Sequence, residues 1–298
     1  MKALAVLKLF RFPLVFTAIA DSVAGYLLIT RGFGSANPLG IFLIAVASAG
    51  LYCFGMAMND IADLGRDKER FPGRVLPSGR LTVREASRAA IVALVISLVA
   101  AAIGPGGSIP VRVVVWAIVA GTIMAYNFFL KLPPVMGTIR AFNFLLGVAA
   151  SPGARSLRDL GAFSELPHFA AMTFVYVTAL TFVSTMEDKK FNKAGVIIGT
   201  GVMCIAAAWP TIFSFALTGD RTEARWLVLI ILVGWLGYRA HKASDRKGVM
   251  LLVRDGVGGI ILLNAIYLLS SGSHDEGLAV ATLVLPAAAA VALFKKLP

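Results

Sequence analysis

Ten apolar runs, each near the length a bilayer demands, constrain this 298-residue chain more than any other feature. A helix crossing the hydrocarbon core needs about 20 apolar residues. Segments of that kind fall at about 14–30, 38–58, 86–104, 109–130, 136–152, 168–186, 194–217, 224–240, 249–271 and 277–296. The run at 136–152 is short, and 224–240 reads as a tilted or partial span. Charged residues make up only 15% of the chain and hydrophobic ones 58%. A water-soluble domain carries about a quarter charged residues, so this chain cannot keep a charged shell in water. The expectation is an all-α polytopic transmembrane bundle of nine or ten helices, one membrane domain over 1–298. The first thirty residues read as a full span running to Ile29, not as a cleaved leader.

The formal net charge is +12, which in a soluble protein would suggest nucleic acid. The placement of the charge excludes that partner. Of 28 Lys and Arg residues, all but Arg31, Arg112, Arg155, Arg158, Arg221 and Arg225 fall on one side of the expected bundle. Short loops rich in Lys and Arg stay in the cytoplasm, so the pattern predicts an integral protein of the cytoplasmic (inner) membrane with both termini inside. The two cysteines, Cys53 and Cys204, sit in apolar runs without a CxxC spacing and read as buried thiols. Three scattered histidines do not suggest a metal site.

The chemistry concentrates where the second run meets its loop: Asn59-Asp60-Ile61-Ala62-Asp63-Leu64-Gly65-Arg66-Asp67-Lys68-Glu69-Arg70. On a helix, Asn59, Asp63 and Asp67 form one line, flanked by Asp60. Carboxylates so spaced repel one another without a cation. Mg²⁺ takes oxygen ligands and shares its coordination between a few carboxylates and substrate phosphates, so a Mg²⁺–diphosphate is the natural partner. Carboxylates at the mouth of an apolar bundle also mark function by default. The loop goes on through Arg74, Pro77, Ser78, Gly79 and Arg80. Its Pro and Gly residues fix its path, and both arginines suit phosphate oxygens.

Asn59-Asp60-x-x-Asp63-x-x-x-Asp67 followed by Arg74-x-x-Pro77-Ser78-Gly79 resembles the first signature of the UbiA prenyltransferase superfamily, with Val75 where that family usually has Pro. Tyr126-Asn127-Phe128-Phe129-Leu130-Lys131 is similar to the family's second landmark, its Lys displaced by one. The resemblance covers residues 10–270 and implies a nine-helix bundle that moves an isoprenoid chain from its diphosphate to a small acceptor. It implies that Asp60, Asp63 and Asp67 hold Mg²⁺ and act in catalysis. Arg74 and Lys131 would then pair with the diphosphate, and Asn59, Arg66 and Tyr126 would stand with the substrate. Catalytic cytoplasmic loops are expected at about 59–85 and 187–195.

The family's second aspartate motif is reduced here. In Glu187-Asp188-Lys189-Lys190-Phe191-Asn192-Lys193-Ala194-Gly195, Phe191 takes the place of the last Asp. Asp188 remains a possible metal ligand. Glu187, Lys189 and Lys190 become candidate substrate contacts, a lysine replacing a metal as the phosphate's counter-charge. Met136-Gly137-Thr138-Ile139-Arg140-Ala141-Phe142-Asn143-Phe144-Leu145-Leu146-Gly147 is similar to a run in the UbiA-like proteins called EboC, which implies a polyol or cyclitol acceptor in place of an aromatic acid. Arg140 and Asn143 share a helix face, where they contact a phosphate or polar acceptor, or else tie helices together. Asp21, inside the first span, either serves the acceptor or pairs with Arg11 or another helix. Asn127 and Asn264 are expected to bridge helices, and Arg254-Asp255 to pair locally. Two competing functions remain at this stage: a transporter of lipids or metabolites, and a non-catalytic binder of prenyl diphosphate.

Overall fold

The computed structural model describes residues 2–31, 33–154, 156, 165–187, 191–218 and 223–296. Helices account for its regular structure. A short helix, α1 (Lys2–Leu9), leads through the 3-10 turn Phe12–Leu14 into α2 (Val15–Thr30). There follow α3 (Pro38–Ala62), α4 (Leu64–Arg70), α5 (Val83–Ile103), α6 (Ile109–Phe128), α7 (Pro133–Ala150) and α8 (Leu166–Ser184). The chain continues through α9 (Lys193–Thr218), α10 (Glu223–Lys242), α11 (Arg246–Ser270), α12 (His274–Thr282) and α13 (Val284–Lys296).

Local chemistry sets the starts. Asn37 caps α3 by accepting from the Leu39 and Gly40 amides, with Pro38 at the first helical position, where its missing N–H costs nothing. Thr82 and Glu85 form a reciprocal capping box on α5, which satisfies donors that a helix start would otherwise leave bare. Asp245 caps α11 through the Gly248 amide.

All ten expected segments are helical. Eight stretches are long and apolar enough to cross a membrane. α7 and α10 fall outside that set. α7 is 18 residues long and carries Arg140 and Asn143, and α10 carries arginines at both ends. The tenth expected segment is α12 followed by α13, joined at Leu283 in a helical conformation, and the two together make one of the eight stretches. Ile91, Val95, Ile96 and Val99 on α5 are exposed in the isolated chain, as are many apolar residues on the outer helices. Water would not tolerate such a surface, and lipid requires it. The chain is an integral membrane protein.

α7 packs against α2, α6 and α8, while α3 packs against α5 and α2. Small residues bring α2 and α7 close: a Cβ on Gly147 would overlap the Ser22 carbonyl, and one on Gly25 would overlap the Phe144 carbonyl. Small residues allow this approach where no hydrophobic force drives helices together. The α2–α7 seam fixes the floor of the site described next.

Candidate active site

α3 ends at Ala62, and Asp63 turns the chain into α4 with φ −87° and ψ 0°. The amide of Asp63 still donates to Asn59 O, and that of Asp67 to Asp63 O, both at 2.9 Å. The expected single stripe is therefore a stripe with a joint in it. The i, i+4 spacing survives, but Asp63 lies at the bend and not in mid-helix.

Each carboxylate faces its own cation. Asp60 accepts from Arg11 Nη2 at 3.1 Å. Asp63 pairs with Arg66 at 2.8 Å and with Lys131 Nζ at 2.5 Å. Asp67 accepts from Arg74 Nη1 at 2.5 Å, with Arg66 Nε a further 3.8 Å from its other oxygen. Arg74 also lies over the Phe71 ring, 4.2 Å from its centroid, and Arg246 of α11 approaches that ring at 5.5 Å. Arg66, Arg74 and Lys131 thus join the carboxylates, from three parts of the chain. Arg80 does not: it donates to the Ser78 hydroxyl and to Gly73 O, so it braces the loop and does not reach the acidic run.

The sequence did not point to Arg11 at this site. It adopts a left-handed backbone, φ 47°, between α1 and the 3-10 turn. That conformation is uncommon for a residue with a Cβ and clusters at functional positions. The signal that existed was its place just before Phe12-Pro13, at the mouth of the first span.

Among the described residues no three His, Cys, Asp or Glu side chains close up around a metal position. The donor set nonetheless suits a hard cation. Asp67 Oδ1 is buried without a hydrogen-bond partner, and Asp60 and Asp67 are 6% and 1% exposed. Exchanging counter-cations of this kind for Mg²⁺ keeps the charge balanced. Of the reduced second motif, Glu187 ends the 3-10 turn Thr185–Glu187 at the foot of α8, while Asp188, Lys189 and Lys190 lie outside the described residues. Lys193 at the start of α9 is committed to the carbonyls of Ala240, His241 and Ala243.

Below Asn59 a cavity of about 90 Å³ opens between α2, α3, α6 and α7. A water needs about 10–15 Å³ on this measure, so the space has room for a small molecule, and its wall is largely apolar, with Leu51, Val119, Ile123 and Ile139 beside a few polar groups. Asn59, Tyr126, Arg140 and Asn143, expected separately as site residues, all line it, together with Ser48 and Asn127. The floor is a buried network. Arg140 Nε lies 2.8 Å from Asp21 Oδ2, and its Nη2 donates to Thr17 O at 2.7 Å. Asn264 of α11 donates to Asp21 Oδ1 at 2.7 Å. Asn143 donates to Ala18 O and accepts from the Ser48 hydroxyl, both at 2.9 Å. Asp21 is therefore partnered by Arg140 and not by Arg11, because α7 and not α1 lies against its turn of α2. Asn264 bridges helices as expected. Asn127 does not: its amide donates to Ile123 O in its own helix. Arg254 and Asp255 pair at 2.9 Å, joined by Arg239 at 2.6 Å.

The model of the UbiA prenyltransferase family matches residues 18–248. The chain belongs to that family. Prenyl transfer is the class of reaction this membership assigns to it, and the match spans α2 to the start of α11. No curated protein sequence matches the chain. Solved structures share the fold at low identity. An apo UbiA homologue from Aeropyrum pernix K1 aligns at TM-score 0.59 and 16% identity, over 94% of this chain and 97% of that one. A UbiA homologue from Archaeoglobus fulgidus bound to GPP and Mg²⁺ aligns at 0.56 and 15%, over 93% and 99%. A digeranylgeranylglyceryl phosphate synthase aligns at 0.58 and 18%, over 92% and 99%.

Proposed function

We propose that the chain transfers an isoprenoid group from its diphosphate to a small hydroxyl-bearing acceptor, with Mg²⁺ as cofactor, at the cytoplasmic rim of the inner membrane. The observation that carries this reading is the joint at Asp63, where three carboxylates, each paired with a cation from among Arg11, Arg66, Arg74 and Lys131, stand at the mouth of a largely apolar cavity.

In this reading Asp60, Asp63 and Asp67 hold the cation. Held there, Mg²⁺ would supply charge neutralisation to the diphosphate and make it a better leaving group. Arg74, Lys131 and Arg66, released from their carboxylates, turn to the diphosphate and stabilise charge as the allylic C–O bond breaks and its electron pair leaves with the phosphate. Asn59 and Tyr126 sit between diphosphate and cavity and orient the reacting carbon toward the acceptor. The apolar helices around them keep water from the carbocation. The acceptor oxygen forms the new bond, and its proton passes to the released diphosphate. The prenyl tail lies among the helices or in lipid. The EboC-like run makes a polyol or cyclitol the acceptor of choice over an aromatic acid. A midplane site, as transporters build, is a poorer fit to carboxylates gathered at a helix end.

The test is purified protein with radiolabelled geranylgeranyl and shorter diphosphates, with and without Mg²⁺, and a membrane-and-cytosol extract as acceptor pool. Label moving into a new lipid only with Mg²⁺ supports a transferase. Tight donor binding with no transfer from any donor would replace it with a non-catalytic binder.

A further inference from the structure

Among the described residues that line the cavity Arg140 is the single charged one, and its charge is already spent. Asp21 is 0% exposed and Arg140 8%, and their 2.8 Å pairing leaves the floor electrically neutral. Asn143, on the same helix as Arg140, and Asn264 of α11 also donate to the carboxylate. Asn127 also borders the cavity, but its Oδ1 is sealed from it as well as from hydrogen-bond partners, so the charge balance of Arg140 is what distinguishes one bound molecule from another.

We infer that Asp21 is a specificity-determining residue: by cancelling the charge of Arg140 it makes the cavity select an uncharged acceptor and reject a carboxylate. The inference rests on the transferase reading for the word acceptor, and on the cavity alone for its charge rule. A carboxylate entering the site loses its hydration, a large cost unless a cation repays it. The guanidinium cannot repay it while Asp21 stands against its far side. Asp21 acts through Arg140 and touches no reacting atom, so it is a positioning residue and not a catalytic one.

Binding in lipid nanodiscs tests this with two probes of the same shape, 4-hydroxybenzamide and 4-hydroxybenzoate. Diphosphate is left out, so a failure of prenyl transfer and a failure of the charge rule are read separately. Gly55→Leu fills the cavity from α3 and marks binding that belongs to it. The wild-type chain should favour the amide by about tenfold or more, Asp21→Asn should invert that ratio, and Asp21→Asn with Arg140→Gln should restore it. Asp21→Asn leaves a buried cation alone and is the variant most exposed to misfolding. If it does not fold, the double variant decides: an unchanged ratio supports the rule, and a loss of acid binding relative to wild type overturns it. A wild-type preference for the acid, no gain of acid binding in folded Asp21→Asn, or no Gly55-sensitive binding of either probe would also overturn it.

Discussion

The acidic run draws its meaning from who faces it. Arg11 lies 49 residues before Asp60 and Lys131 lies 68 after Asp63, so these counter-charges come from two distant connections between helices. Arg74 and Arg80 look alike in the sequence, one on either side of Pro77-Ser78-Gly79, but only Arg74 reaches a carboxylate. Removing Arg74 should raise the KM for prenyl diphosphate by about tenfold or more, since hydrogen bonds to charged groups carry about 1.5–3 kcal/mol. Arg80→Ala should lower thermal stability and leave that KM within about twofold, because surface substitutions seldom exceed 0.5 kcal/mol. Donor-saturation kinetics on the two variants separates them, and equal effects would place Arg80 at the diphosphate after all. Residue types at their spacing were enough to nominate Asp60, Asp63 and Asp67. Arg11 escaped because its role depends on a left-handed turn that no periodicity announces.

At the scale of elements, helix positions were legible from hydropathy, while the caps refine the starts: α3 begins at Pro38 as expected, but the Thr82–Glu85 box and Asp245 begin α5 at Val83 and α11 at Arg246, each three residues before the apolar run. One break was not legible: α3 bends at Asp63, within a pattern whose i, i+4 spacing persists on both sides. The partner of Asp21 was equally hidden, since close packing at Gly25 and Gly147 decides which helix stands opposite it. Gly147→Ala should therefore force α2 and α7 apart, costing about 1–3 kcal/mol as overpacking does. Gly121→Ala, with nothing near its Cβ position, should be neutral or slightly stabilising, as Ala is the better helix former. Thermal denaturation in one detergent compares the pair, and equal midpoints would contradict the close seam. Thr82→Ala should cost about 1 kcal/mol through loss of the α5 cap, read in the same assay.

For the whole molecule, the sorting of Lys and Arg predicts an orientation that hydropathy alone does not. The acidic run, Lys131 and the starts of α7, α9 and α11 gather at one end of the bundle, as the contacts of Asp63 with Lys131 and of Arg246 with Phe71 require. Phe33 and Glu276 meet elsewhere, where the Phe33 amide donates to the carboxylate at 2.7 Å. Membrane-impermeant maleimide should label Ser78→Cys from the cytoplasmic face and Gly34→Cys from the opposite face. Labelling of both from one side would overturn the orientation.

The acidic run is the proposed meeting place of a divalent cation and a prenyl diphosphate. The most direct measurement is Mg²⁺-dependent diphosphate release by Asp67→Asn beside wild type, each shown to be folded by its melting temperature and elution volume. Asp67→Asn keeps the shape of the side chain and its contact with Arg74 but withdraws the charge and the lone oxygen Oδ1. The account predicts a fall in turnover of at least about a hundredfold with folding retained. Turnover at the wild-type rate, with the same Mg²⁺ dependence, would contradict it.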